Sequence, residues 1–210
     1  MMNMTRLTFV RHTESEMNRT RELIGGRSNH TPATAEGLFR AALLGSHFRE
    51  AGIRFDAVYS SGAVRADQTA RAIVDAAGYD LPILIDERLQ EVSQGGWEGR
   101  LRDDVYTDDM IRRHRLNDID GCLPGAESVA AAQVRAGAFV RDTEIWHPDE
   151  RLLVVSHGLL IRSLHGSIHR RSKDQILAAD TPNLSVTDVS VQGGIILSGP
   201  VGKTLIDGYN

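Results

Sequence analysis

Leu152-Leu153-Val154-Val155-Ser156-His157-Gly158 is the stretch that decides the fold. Four consecutive apolar residues followed by Ser, His and Gly read as a strand over Leu152–Ser156, with a helix beginning near Gly158. A strand apolar at every position is buried on both faces, which is the signature of a parallel sheet covered by helices. Moving outward, Leu7–Val10, apolar except at Thr8, also reads as a buried strand. It is followed by a polar loop that passes through Gly25-Gly26-Arg27. Thr34 caps a helical stretch from Ala35 to about Glu50, whose Leu38, Ala41, Ala42 and Leu44 share one face. Phe55–Tyr59 predicts another strand, and Ser60-Ser61 open a helix that runs to about Ala77 and closes at Gly78. Pro82–Ile85 predicts a third strand, Glu127 to about Ile145 a further helix, and Leu184–Val191 with Ile195–Ser198 a hairpin turned by Gln192-Gly193-Gly194. Strands alternating with helices predict an α/β fold with a mostly parallel sheet covered on both faces.

The composition sets bounds on function. The chain has 210 residues, 41% of them hydrophobic and 25% charged, which suits one globular domain over 1–210. A net charge of −4 offers no basic field for a polyanion, so no nucleic-acid partner is expected. The single Cys122 excludes an intrachain disulfide and a cysteine metal cluster. The N-terminal residues enter the first strand without a signal-type apolar segment. No run approaches the about eighteen apolar residues of a membrane span. A cytoplasmic protein with no membrane partner is expected, and a homo-oligomer is compatible with the sequence. From Glu91 to Pro124 the regular pattern lapses into a polar, charge-rich segment, read as a lid insertion over about 92–125.

Open parallel sheets bind ligands beyond the carboxyl ends of their strands. Those ends carry Arg11-His12-Thr13-Glu14, Ser60-Ser61 with Arg65 one turn on, and Ser156-His157-Gly158, while Glu91 stands where the lid departs. Two arginines favour a phosphoryl group, because the planar guanidinium matches phosphate oxygens. A neutral imidazole is a competent nucleophile at phosphorus, and a carboxylic acid can protonate a poor alkoxide leaving group. Neither step needs a metal or a cofactor.

Arg11-His12-Thr13-Glu14-Ser15 with Asn18 resembles the Arg-His-Gly-Glu-(Ser/Thr) signature of the histidine phosphatase (phosphoglycerate mutase-like) superfamily. Tyr59-Ser60-Ser61 with Arg65-Ala66 and Gln68-Thr69-Ala70 is similar to its second motif, and Arg88-Leu89-Gln90-Glu91 with Gly95 and Trp97-Glu98-Gly99 to its third. Pro124-Gly125-Ala126-Glu127-Ser128, Val155-Ser156-His157-Gly158 and Asn183 with Ser185-Val186-Thr187 follow in family order. The resemblance implies a three-layer α/β/α sandwich. It implies His12 as phosphorylated nucleophile, Glu91 as proton donor, and Arg11, Arg65 and His157 as the phosphoryl clamp. On the substrate side it places Asn18 and the Gly25-Gly26 turn, with Ser15 a further candidate. Thr13 departs from the family's usual glycine; its hydroxyl could reach the phosphate or only reshape the loop.

The expected activity is hydrolysis of a small phosphorylated metabolite. The alternatives are a cofactor-dependent phosphoglycerate mutase and a non-catalytic phosphate-binding module on the same fold. Mutases of this type usually carry a longer insertion after the Trp-Glu-Gly segment, and here Gly99 to Pro124 is short. His165 and His169 stand i,i+4 on a helix, but Arg162, Arg170 and Arg171 surround them, so a solvated helix end is expected rather than a metal site. Gly199 to Thr204 resembles a P-loop tail without room for its helix, and Arg112-Arg113-His114-Arg115 could lean over the site from the lid.

Overall fold

A computed structural model describes residues 4–20, 22–110 and 125–206. Its centre is a six-stranded sheet ordered β3-β2-β4-β1-β5-β6. The strands are β1 (Thr5–Arg11), β2 (Ala57–Ser60), β3 (Ile83–Ile85), β4 (Arg151–Ser156), β5 (Val186–Gln192) and β6 (Ile195–Ser198). β1, β2, β3 and β4 run parallel to one another; β5 is antiparallel to β1, and β6 to β5.

Helices cover both faces, as alternate side chains on each strand require. Leu7, Phe9, Leu152 and Val154 pack on one side against Ala136, Phe139 and Val140 of α5 (Val129–Trp146) and Leu160, Ile161 and Leu164 of α6 (Gly158–Ile168). Val10, Val58, Leu153 and Val155 pack on the other against α2 (Ala35–Glu50) and α3 (Val64–Ala77). The result is the expected three-layer α/β/α sandwich. The described residues also form the short helices α1 (Glu16–Arg19), α4 (Arg102–Val105) and α7 (Lys173–Ala178).

The predicted elements shift at their edges for local reasons. α2 keeps its Thr34 cap, whose hydroxyl accepts from the Gly37 amide at 2.9 Å. α3 begins at Val64 rather than Ser60, because Ser60 is still paired to β4 and Ser61 turns its hydroxyl into the site. β5 starts at Val186, since Leu184 has a φ of 61° and cannot extend the strand. α7 was not anticipated, although Ser172 and Gln175 form a reciprocal cap at its start.

The register aligns the site. Arg11 pairs with Ser156 and Ser60 with Val155, so β1, β4 and β2 release their chains at one level. Because β5 runs the opposite way, the residues before it arrive at that same level, and the side chain of Asn183 donates to the His12 carbonyl at 2.8 Å. The described part of the presumed lid returns to the loop after β1 through Ile24–Arg100, Gly99–Ile24 and Arg102–Glu22 backbone hydrogen bonds of 2.7–2.9 Å. Trp97 is buried there with Ile24 and Val105. The Arg112–Arg115 run and Cys122 lie outside the described residues.

Candidate active site

His12 is buried just past β1. Its Nδ1 lies 2.7 Å from the carbonyl oxygen of Thr13. A carbonyl can only accept, so Nδ1 carries the proton and Nε2 carries the lone pair. Nε2 receives the Nε–H of Arg65 at 3.2 Å. Arg65, on the first turn of α3, spreads the rest of its fork over the Ser28 and Arg27 carbonyls at 2.8 and 2.9 Å and Nδ1 of His157 at 3.1 Å. Since Arg65 must donate, Nδ1 of His157 is the acceptor, and its Nε2–H points to Ser61 Oγ at 2.8 Å. The two imidazoles lie 5.0 Å apart between centroids.

Burial beside guanidinium groups keeps both rings neutral. His12 lies well below the usual histidine range because of burial, then Arg65, then Arg11. His157 lies well below it for burial, Arg65 and His12. Arg11 donates one guanidinium N–H to the Thr181 carbonyl at 2.6 Å, while its Nε is buried with no hydrogen-bond partner among the described residues. A buried unpaired donor is costly and marks a place for an acceptor.

Glu91 stands at the start of α6. One carboxylate oxygen accepts from the amides of Val92 and Leu160 at 2.9 and 3.0 Å, the other from Leu159 at 3.2 Å. The carboxylate therefore serves the orphan amides of a helix N-terminus. Its charge acts on Arg11, Arg65 and Arg162.

A cleft of about 360 Å³ opens beside Arg11, lined also by Asn18, Gly25, Asn183, Glu14 and Arg102. His12, Arg65, Glu91 and His157 line neither this cleft nor the two larger hollows of about 540 and 550 Å³; Arg11 lines the cleft and neither hollow. The smaller, polar cleft adjoins the site through Arg11, which carries the unpaired donor, and through Asn183, which holds the His12 carbonyl.

The remaining candidates divide. Asn18 lines the cleft and accepts from Ser15 N and Oγ, both at 3.1 Å. Ser15 is thus a buried support for Asn18 rather than a cleft wall. Gly25 lines the cleft, but Gly26 (φ 52°) faces Glu98, which a Cβ there would strike. Thr13 turns away: its hydroxyl donates to the Gly37 carbonyl of α2 at 2.8 Å and its amide to Thr69 Oγ1 at 3.1 Å. Gly37 permits this approach, since a Cβ on it would sit 2.7 Å from the Glu14 carbonyl. Ser61, Asn183 and Arg27 join the site without having been singled out for it. The first two lay inside quoted motifs; Arg27 gave no signal of its own. His165 and His169 lean on the β6 end through Gly199 and Ser198, and among the described residues no three His, Cys, Asp or Glu side chains gather into a metal-holding group.

Residues 7–196 match the model of the histidine phosphatase superfamily (branch 1). The chain belongs to that superfamily. Within it, the 2,3-bisphosphoglycerate-dependent phosphoglycerate mutase of Rhizobium etli is 32% identical over 192 residues, covering 88% of this chain and 90% of the mutase. The solved structure of Bacillus stearothermophilus YhfR superposes with a TM-score of 0.81 at 28% identity, covering 95% of this chain and 98% of that one. The alpha-ribazole phosphatase of Shigella flexneri superposes with a TM-score of 0.75 at 25% identity, covering 98% and 100%. The superfamily around this chain thus includes both mutases and phosphatases.

Among the described residues, no helix is long and apolar enough to cross a membrane.

Proposed function

We propose that this protein is a metal-independent phosphomonoesterase that hydrolyses a small phosphorylated metabolite through a phosphohistidine on His12. The observation that carries this reading is the unprotonated Nε2 of His12, fixed by the Nδ1–H to Thr13 contact, accepting from Arg65 and lying beside His157. A phosphoryl oxygen entering beside Arg11 and Arg65 takes over the Arg65 Nε–H, which frees the Nε2 lone pair for in-line attack. The P–N bond forms as the P–O bond to the leaving group breaks. Arg11 and Arg65 spread the charge of the equatorial oxygens, and the arriving negative charge favours uptake of a solvent proton by His157 beside them.

In its protonated form Glu91 delivers the proton to the departing oxygen, and the carboxylate so formed takes one from the water that attacks the phosphohistidine, which restores the acid. Both of its oxygens are held by backbone amides in the resting arrangement, so delivery requires it to turn from the start of α6 toward the leaving group.

The test is a pair of assays in excess chelator: release of phosphate from an aryl phosphate, and interconversion of 3- and 2-phosphoglycerate in the presence of 2,3-bisphosphoglycerate. The proposal expects undiminished phosphate release and no more than trace interconversion. Activity lost to chelator and restored by a metal, or interconversion faster than hydrolysis, contradicts it.

A further inference from the structure

The segment that bears Glu91 has no regular secondary structure after the short 3-10 turn at Glu87–Leu89, yet a general acid must be placed closely to work. Its carbonyls are nonetheless held one by one. Ser156 at the end of β4 donates to Leu89, Arg135 of α5 donates to Arg88 at 2.6 Å, and the Glu127 amide donates to Ser93 at 2.9 Å. The carbonyl of Glu91 itself receives two guanidinium groups, Arg135 at 3.2 Å and Arg27 at 3.3 Å.

Two cations converging on one carbonyl need a counter-charge, and Glu127 supplies it. Its carboxylate takes a two-pronged bond from Arg135 at 2.6 and 2.8 Å and lies 3.7 Å from Arg27. Glu127 and Arg135 are mostly buried, with side chains 13% and 16% exposed. Arg27 adds a second connection: its own carbonyl accepts from Arg65, the residue that holds His12 and His157.

We propose that Arg27, Glu127 and Arg135 form a positioning bridge that sets the distance between the Glu91 proton donor and the Arg65 phosphoryl clamp. The proposal rests on the reading of Glu91 as general acid. None of the three need touch the reacting atoms; they act through the backbone of Glu91. Any drift of that backbone therefore weakens proton delivery while leaving the phosphoryl clamp and the nucleophile in place. The cost falls on substrates whose leaving oxygen needs the proton and spares those whose leaving group departs unaided.

A double-mutant cycle between Arg27→Ala and Glu91→Gln tests this, with an alkyl phosphate and 2,4-dinitrophenyl phosphate as the two substrates. Arg27 is the position to change because its side chain is 39% exposed and its carbonyl, which holds Arg65, remains in the alanine variant. In the wild-type background Arg27→Ala should lower kcat on the alkyl phosphate about tenfold or more, with KM and the dinitrophenyl rate changed less than about twofold. In the Glu91→Gln background the same change should add nothing, since two residues acting through one group are not additive. Glu127→Gln should reproduce the substrate-dependent loss, and Arg135→Lys, which keeps the charge but not the fork, should recover only part of the rate that Arg135→Met loses. Equal losses on both substrates, or a full additional loss in Glu91→Gln, overturn the bridge while leaving the acid assignment intact. A Glu91→Gln variant indifferent to leaving group contradicts that assignment, and the bridge falls with it.

Discussion

Among the described residues, two pairs of histidines are in ring contact, and they differ in nearly everything except that contact. His12 and His157 lie 5.0 Å apart at the carboxyl ends of β1 and β4; His165 and His169 lie 4.3 Å apart at the carboxyl end of α6, with His169 the residue just after it. The first pair is bridged by Arg65, which bonds to both rings. The second is bonded to Gly199 and Ser198, a carbonyl and a hydroxyl of the β6 end, and His169 reaches the surface. Ring contact between histidines therefore carries no functional meaning alone. What separates the pairs is topology, which brings one to the ligand-binding edge of a parallel sheet, and the guanidinium that gives its neutral rings a reason to meet an anion.

Breaking the first pair should have the largest effect. His12→Ala is expected to lower kcat by about 10⁴ or more, since no other group offers a lone pair at that position, whereas His169→Ala should stay within about twofold. Arg65→Met comes next, with an expected loss of about 10²–10³ in kcat/KM from the missing donors and the misplaced rings. Steady-state kinetics on one aryl phosphate ranks all three. Equal losses in His12→Ala and His169→Ala would erase the distinction between the pairs.

Acid sharpens the comparison. His12 and His157 have values depressed in the folded protein by burial and by Arg65, so the unfolded chain binds protons that the native state refuses. Their contribution to stability is complete above about pH 6.5 and is lost as pH falls below it. The urea midpoint should accordingly drop from pH 7.5 to pH 5, and His157→Asn should flatten that slope. An unchanged slope in His157→Asn would count against a buried neutral imidazole.

The smallest effect is expected at Thr13. Its hydroxyl serves the Gly37 carbonyl, not the cleft, so Thr13→Val should cost about 1 kcal/mol of stability with activity changed less than about twofold. A thermal melt paired with a rate measurement separates the two; a large drop in rate at unchanged Tm would return Thr13 to the substrate side.

The sandwich was legible from sequence because uninterrupted apolar runs such as Leu152–Val155 permit little besides a doubly covered strand, and the strand ends then located Arg11, His12 and His157. The orientation of side chains was not legible. Whether Thr13 faced the phosphate or α2 depended on the missing Cβ of Gly37, 24 positions on. The attachment of Glu91 to the amides of Leu159 and Leu160, and of Arg135 to the carbonyl of Glu91, joins residues 69 or fewer positions apart that share no periodicity. Ser15 looked like a substrate contact and proved to support Asn18, because a serine ahead of a short helix reads alike in either role.

The central claim is that Nε2 of His12 becomes covalently phosphorylated. Rapid quenching of the enzyme with a phosphorus-labelled aryl phosphate tests it most directly, followed by acid and base treatment and localisation of the label by mass spectrometry. The account predicts a label that is lost in acid, survives base, maps to His12 and vanishes in His12→Ala while persisting in His169→Ala. A label that survives acid, or one that remains in His12→Ala, would contradict it.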